Sequence, residues 1–115
     1  MPSIALVLTT STPSTMDQEG NQRKVLDWMT AFKIEHKVID GADQAVKELR
    51  NELFTISGQR GKYPQVFLTD QVEKTEFIGD YEKILSLVED NSTPEETLKA
   101  AGLKNFHMVF ADAKN

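Results

Sequence analysis

Ser11 and Ser14 are hydroxyl side chains three residues apart, directly after an apolar run that ends in threonines. A serine can act as a nucleophile, but only when a base lies beside it and a third group orients that base. The chain has two histidines, His36 and His107, and the sequence places neither near Ser11. We therefore predict that this segment is a polar loop that caps the following helix and has no catalytic role.

The sequence contains no cysteine, which narrows the possible chemistry further. Disulfides, thiolate nucleophiles, cysteine-ligated zinc and iron–sulfur clusters are all excluded. No local spacing joins the histidines to carboxylates, so the sequence predicts neither a metal site nor a cofactor. The absence of disulfides is typical of intracellular proteins, and we expect a cytoplasmic location.

The length of 115 residues is enough for one domain with its own core. The net charge of −5 argues against a nucleic-acid-binding protein, which would carry a basic face, and against an anionic membrane surface. No apolar run approaches the length that spans a membrane. The first ten residues lack a basic start and are expected to form a strand, not a signal peptide. We expect a monomer.

Hydrophobic periodicity predicts that strands and helices alternate along the chain. The expected strands cover about 4–10, 35–40, 65–69 and 74–79, and the expected helices about 16–32, 42–55 and 81–88. Strands separated by a helix are expected to be parallel, whereas the last two, joined by a short turn around Asp70, are expected to form an antiparallel hairpin. The order β-α-β-α-β-β-α predicts an α/β fold with a mixed four-stranded sheet and helices on both faces.

Residues 91–115 follow this unit and are predicted to add a C-terminal helix and a tail to a domain that covers 1–90. Thr93 is the expected N-cap of the helix, Pro94 its first residue, and Gly102 lies past its end. Large apolar residues stand at every second position from 106 to 110, namely Phe106, Met108 and Phe110. This pattern predicts a short strand or an extended arm packed on the body.

Two segments carry a resemblance to a known family. Residues 63–67, YPQVF, resemble the glutaredoxin pattern in which a cis-proline precedes a strand that ends in an aromatic residue. Residues 77–82, FIGDYE, resemble the segment that opens the last glutaredoxin helix. Together with the Ser/Thr loop at 11–15, they look closest to a cysteine-poor branch, the SH3-domain-binding glutamic-acid-rich-like proteins. The resemblance covers about residues 4–90 and implies a thioredoxin-like fold.

The resemblance implies that Pro64 follows a cis peptide bond, which in folded proteins usually marks a deliberate tight turn. Such a bond would direct the Tyr63 backbone at the loop 11–15. The alternative is a trans proline at the start of an edge strand, because a proline inside a central strand would remove a ladder hydrogen bond.

By this resemblance, Ser11 and Ser14 occupy the positions of the glutaredoxin Cys-x-x-Cys pair, so redox activity is expected to be lost. Tyr63 takes the place of the residue whose backbone pairs with glutathione, and Gly79 and Asp80 take the places of two glycines at the last helix. The negative charge of Asp80 is expected to weaken binding of the ligand carboxylate there.

We expect a non-enzymatic protein-interaction module, an adaptor or modulator, on a degenerate glutaredoxin face. The alternative is a small-molecule module that keeps a weak glutathione-type pocket. The candidate contact residues are Ser11, Thr12, Ser14, Tyr63, Pro64, Gln65, Gly79, Asp80 and Tyr81. Trp28 either adds an interface anchor to this surface or fills the edge of the core. The P-x-x-P motif of an SH3 ligand and a glutamate-rich tail are both missing from the sequence, which departs from the family pattern.

Overall fold

The computed structural model describes residues 3–70 and 74–114. The strands are β1 (Ile4–Thr9), β2 (His36–Asp40), β3 (Gln65–Thr69) and β4 (Thr75–Asp80). The helices are α1 (Met16–Ala31), α2 (Lys47–Ser57), α3 (Tyr81–Glu89), α4 (Glu95–Ala100) and α5 (Phe106–Val109). Short 3-10 turns lie at Gln44–Val46, Asp90–Ser92 and Ala111–Ala113. The predicted element order is confirmed, and part of the predicted turn between β3 and β4, residues 71–73, lies outside the described residues.

The four strands form one mixed sheet in the order β2-β1-β3-β4. β1 and β2 are parallel and β3 and β4 antiparallel, as predicted, but β3 also runs antiparallel to β1. The prediction that all strands separated by helices are parallel was therefore wrong for β3. The 11-residue α2 is followed by a loop at 58–64 that can span about 23 Å. This loop returns the chain to the end of the sheet at which β1 finishes, so that β3 starts there and Gln65 pairs with Leu8.

Successive residues of β1 point to opposite faces of the sheet, and both faces are covered by helices. Ala5 and Val7 belong to one core cluster, and Leu6 and Leu8 belong to the other. The first cluster also contains Val25, Met29, Ile84, Leu87, Phe106 and Phe110, from α1, α3 and the C-terminal segment. The second contains Ile39, Leu53, Phe54 and Phe67, including residues of α2. Burial on both faces explains why β1 is a continuous apolar run.

The C-terminal segment is helical, which corrects the predicted strand or arm. Phe106 and Phe110 are fully buried against each other, with ring centroids 4.6 Å apart. Their i, i+4 spacing puts both rings on one side of a helical turn, and Asn105 caps this turn by accepting from the Met108 N–H at 2.9 Å. The segment therefore packs into the first core cluster as a short helix.

The predicted cap of α4 also needs correction. The helix begins at Glu95 with Pro94 as its N-cap, and none of the described side chains caps it. Thr93 instead closes the preceding 3-10 turn, donating its N–H to the Asp90 carbonyl at 3.0 Å. In the described part of the chain, no helix has both the length and the apolar character needed to cross a membrane.

Candidate functional site

The loop 11–15 leaves the end of β1, and a buried glutamine on α1 holds this exit. The Thr10 N–H donates to Gln22 Oε1 at 2.8 Å, and Gln22 Nε2 donates to the Thr10 carbonyl at 3.1 Å. One amide side chain thus satisfies both backbone groups of Thr10 and joins the strand to the helix. Sequence reasoning missed Gln22, because nothing local distinguishes it from Gln18 and the other polar residues of α1.

The same loop is tied to the end of β2 by Asp40. Its Oδ1 atom accepts from the Ser11 N–H at 3.0 Å and from the Ala42 N–H at 2.9 Å. Burial raises the pKa of Asp40, but the hydrogen bonds from Ala42 and Ser11 outweigh it and leave the pKa below its usual value. Asp40 is therefore a charged anchor for the loop, and it too was absent from the sequence-based site.

The loop also caps α1, as predicted. The Thr15 hydroxyl accepts from the Gln18 N–H at 3.0 Å, and Gln18 Oε1 accepts from the Ser14 N–H at 2.8 Å. These reciprocal bonds resemble a capping box, in which a hydroxyl residue and a glutamine three positions later satisfy free N–H groups.

The structure places both histidines far from the serines of this loop. His36 pairs with Ala5 at the start of β1, whereas Ser11 lies six residues further on, a distance of about 20 Å along a strand. The ring of His107 contacts Phe32, which follows the far end of the 16-residue α1. Neither histidine can serve Ser11 as a base. Within residues 3–70 and 74–114, no cluster of three or more His, Asp or Glu side chains is placed to hold a metal ion.

The bond between Tyr63 and Pro64 is cis, which confirms the prediction and rejects the trans alternative. β3 starts at the next residue, Gln65, which pairs with Leu8 on one side and Asp80 on the other. This register brings the three predicted segments, which are distant in sequence, to one end of the sheet.

Gln65 is completely buried, and its side chain braces the loop before β3. Its Nε2 atom donates to the carbonyl oxygens of Gln59 and Lys62, each at 2.7 Å. The side chain therefore points into the protein and does not contribute to an exposed contact surface.

Asp80 caps α3 and carries an ion pair at the same time. Its Oδ1 atom accepts from the Lys83 N–H at 3.1 Å, and Lys62 Nζ lies 2.9 Å from its Oδ2 atom. Burial raises the pKa of Asp80, but the bonds from Lys62 and Lys83 outweigh it and lower the pKa, while the pKa of Lys62 is raised by Asp80. The carboxylate thus occupies both the helix end and the cation that could otherwise attract an anion.

Gly79 and Tyr81 flank this cap. A Cβ atom on Gly79 would collide with the Lys83 side chain, so the position has room only for glycine. The ring of Tyr81 stacks on Trp28, with centroids 5.9 Å apart and planes 10° from parallel. Trp28 is half-buried and packs on the first core cluster, so it joins the predicted face while also filling the core edge.

Two cavities meet at Tyr63. The smaller one, about 90 Å³, is lined by Asn21, Lys62, Tyr63, Pro64, Asp80, Tyr81 and Glu82. The larger one, about 310 Å³, is lined by Thr10, Thr12, Ser14, Gln18, Gly41, Ala42, Arg50, Gly61 and Tyr63. The Tyr63 ring lies so close to Gly41 that a Cβ atom there would stand 2.8 Å from its ring carbons. Six of the nine predicted site residues line these two cavities, with Tyr63 in both, whereas Ser11, Gln65 and Gly79 line neither.

Among the described residues, Arg50 is the one cation in the lining of the larger cavity, and sequence reasoning missed it. Its Nη1 atom donates to the Gly41 carbonyl at 3.0 Å, and Nε and Nη2 donate to Asn51 Oδ1 at 3.3 and 3.2 Å. Neither of the ion pairs found in the described part of the chain includes Arg50. Its three hydrogen bonds therefore go to neutral oxygens, and two of its five N–H groups are left for an anion.

A third and larger cavity, about 720 Å³, lies outside this region. It is bounded by β4, α3 and residues 102–112, and includes Ile78, Leu87, Leu103 and Met108. None of its lining residues belongs to the predicted site. Although this cavity is larger than the other two, it is not part of the candidate site.

No family model and no curated protein matches the chain. Among solved structures, the chain is similar to buckwheat glutaredoxin, crystallised as a complex with glutathione. The TM-score is 0.56 and the identity 16%, and the match covers 89% of this chain and 82% of the other. The likeness shows the fold, so the chain is an α/β protein of glutaredoxin-like, thioredoxin-type fold. It differs from the redox-active pattern in having no cysteine.

Proposed function

We propose that this protein is a non-catalytic, cytoplasmic protein-interaction module of the thioredoxin fold, related in role to the SH3-domain-binding glutamic-acid-rich-like proteins. The observation that carries the proposal is that the polar groups at the positions of the glutaredoxin active site bond to other groups of the protein itself. Serines stand where the resemblance expects two thiols, and the loop that holds them caps α1. A hydroxyl without a neighbouring base can neither exchange disulfides nor attack a substrate.

The ion pair between Lys62 and Asp80 supports the same proposal. A ligand carboxylate arriving at α3 would have to displace Asp80 from both the helix end and the lysine. Because Asp80 is covalently held at this position, a free carboxylate competes with it at a disadvantage. The smaller cavity is therefore poorly suited to an anionic small molecule.

The partly exposed aromatic side chains of this face suit a protein partner. Tyr63, Tyr81 and Trp28 are half-buried aromatic side chains. Tyr63 shares a cavity with Thr12 and Ser14 of the exposed loop, and Tyr81 stacks on Trp28. Aromatic residues held rigidly in this way are common anchors in protein interfaces. Pro64 is buried and stands alone in its segment, so we propose contact with the folded face and not an SH3 domain that reads a polyproline peptide.

The experiment is site-specific photo-crosslinking in cell extract. A photoreactive phenylalanine analogue replaces Tyr81 in one variant, and replaces the exposed Leu103, outside the face, in the control. The proposal expects a discrete adduct from position 81 that position 103 does not give. The same adducts from both positions, or none from position 81, would contradict it. Turnover above buffer in a disulfide-reduction assay would contradict the non-catalytic assignment.

Arg50 favours a second candidate function, a weak glutathione-type binding module. Three of its five N–H groups donate to the oxygens of Gly41 and Asn51, which leaves two for a ligand carboxylate. It lines a cavity of about 310 Å³ that also presents the hydroxyl residues Thr10, Thr12, Ser14 and Tyr63. The structurally similar buckwheat glutaredoxin was crystallised with glutathione.

A titration with reduced glutathione separates the two candidates. In isotope-labelled protein, saturable amide shifts at Thr12, Ser14, Gly41 and Tyr63, which line the cavity beside Arg50, would favour the small-molecule module. Arg50→Gln should then abolish them, whereas the exposed Arg23→Gln should leave them in place. The absence of shifts at millimolar ligand would reject the second candidate and leave the protein-interaction module as the proposed function.

A further inference from the structure

Thr12 is an exposed threonine that directly precedes Pro13, on the loop between β1 and α1. The described residues contain a second Thr-Pro pair, Thr93–Pro94, at the start of α4. A hydroxyl group that precedes proline on an exposed loop is the type of acceptor that proline-directed kinases use. Thr12 differs from Thr93 in what surrounds it, because it lines the same cavity as Arg50.

The cavity has the chemistry that holds a phosphate. Within residues 3–70 and 74–114, its lining includes one guanidinium, several hydroxyls and no carboxylate. Two N–H groups of Arg50 remain after its hydrogen bonds to Gly41 and Asn51. A phosphate has three acceptor oxygens and carries a charge of about −1.5 to −2 at neutral pH, and it pairs well with a guanidinium. The carboxylate of Asp40, which accepts from the N–H groups of Ser11 and Ala42 beside this cavity, is negatively charged and opposes a phosphate, so the guanidinium of Arg50 has to offset it.

We propose that Thr12 is a phosphorylation site for a proline-directed protein kinase, and that Arg50 holds the phosphate once it is attached. The γ-phosphoryl group of ATP moves to Thr12 Oγ1. A phosphorus–oxygen bond to Oγ1 forms, the bond to ADP breaks, and the hydroxyl proton leaves with the base of the kinase. Nothing is oxidised or reduced in this step.

The modification would regulate the face described above. A phosphate beside Arg50 fills the cavity that the second candidate function requires and changes the charge of the loop 11–15. The regulatory role therefore rests on the proposed function, but the modification itself does not. Incorporation of phosphate is measured without any partner, so its failure would leave the crosslinking and glutathione tests unaffected.

The first test treats the folded, full-length protein with MgATP and a proline-directed kinase of the MAP-kinase class, followed by mass-spectrometric site mapping. A peptide of residues 8–18 serves as the positive control for kinase activity. The expected result is one phosphate on Thr12 that Thr12→Ala abolishes, Thr12→Ser retains and Thr93→Ala leaves in place. Phosphorylation of the peptide but not of Thr12 in the folded protein would overturn the proposal, as would phosphate on Thr93 alone.

The second test asks whether Arg50 holds the phosphate. Phosphorus NMR follows the pKa of the phosphate on Thr12 in the wild-type protein, in Arg50→Gln and in the control Arg23→Gln. A neighbouring guanidinium lowers that pKa, so it should rise in Arg50→Gln and stay unchanged in Arg23→Gln. Arg50→Lys keeps a positive charge and should give an intermediate value. Equal pKa values in all four proteins would overturn the role of Arg50.

Discussion

Lys62 Nζ lies 2.9 Å from Asp80 Oδ2, and this ion pair joins the loop before β3 to the start of α3. In the sequence the two residues are 18 positions apart. The pair closes the side of the face where the cis peptide bond, β4 and α3 meet. Arg50, on the other side of Tyr63, has no such acidic partner among the described ion pairs. The two halves of the face therefore differ in their readiness to bind an anion.

The lowered pKa of Asp80 predicts a pH dependence of stability. A carboxyl whose pKa is lower in the folded than in the unfolded state binds fewer protons when folded, so stability rises with pH across that window. Its contribution is full above the unfolded value of about 3.9 and is lost as pH falls through the folded value. Between pH 5 and pH 2, the wild-type protein should lose more free energy of unfolding than Asp80→Asn. Urea titrations at several pH values measure this, and parallel pH curves would contradict it.

Gln22→Ala is expected to destabilise the protein by about 2–3 kcal/mol, because it leaves the buried N–H and C=O of Thr10 without partners. Amide hydrogen exchange at Thr10 should accelerate as well. The exposed Arg23→Ala, on the next residue of the same helix, should change stability by less than about 0.5 kcal/mol. Equal effects of the two substitutions would show that the hydrogen bonds of Gln22 contribute little.

Two glycine substitutions should act in opposite directions. Gly79→Ala puts a Cβ atom into the Lys83 side chain and is expected to cost about 1–3 kcal/mol. Gly20 lies inside α1, and a Cβ atom added there would meet no other group within 4 Å, so Gly20→Ala should stabilise by about 0.5–1 kcal/mol. Chemical denaturation of both variants checks the pair, and a loss of stability in Gly20→Ala would contradict the helix argument.

Phe110→Ala is expected to destabilise the protein by about 3–5 kcal/mol, since the side chain is fully buried in the first core cluster. Leu103→Ala in the same C-terminal segment should have little effect, because that side chain is 55% exposed. Thermal or urea unfolding measures both. A small effect of Phe110→Ala would mean that residues after 103 form a separate tail and not part of the core.

Local patterns predict most of the fold. The predicted bounds of the strand 65–69 are the observed ones, and the predicted start of α1 at Met16 is also observed. These features depend on apolar runs and on caps within a few residues, which a single sequence displays. The prediction of a strand after residue 105 was wrong because Phe106 and Phe110 fit both an alternating and a helical pattern. In the helical conformation that the structure shows, Phe106 packs against Phe32, with ring centroids 5.0 Å apart.

The site, like the fold, has some features that the sequence predicts and others that depend on tertiary contacts. The motifs at 63–67 and 77–82 predict which segments meet, and the composition alone excludes thiol chemistry, since no fold can supply a cysteine that the chain lacks. Gln22, Asp40 and Arg50 acquire their roles from partners 12, 29 and 9 residues away. Which partner a polar side chain finds at such separations depends on strand register and helix placement. Only the tertiary structure therefore decided that Lys62 neutralises Asp80 while Arg50 faces an open cavity.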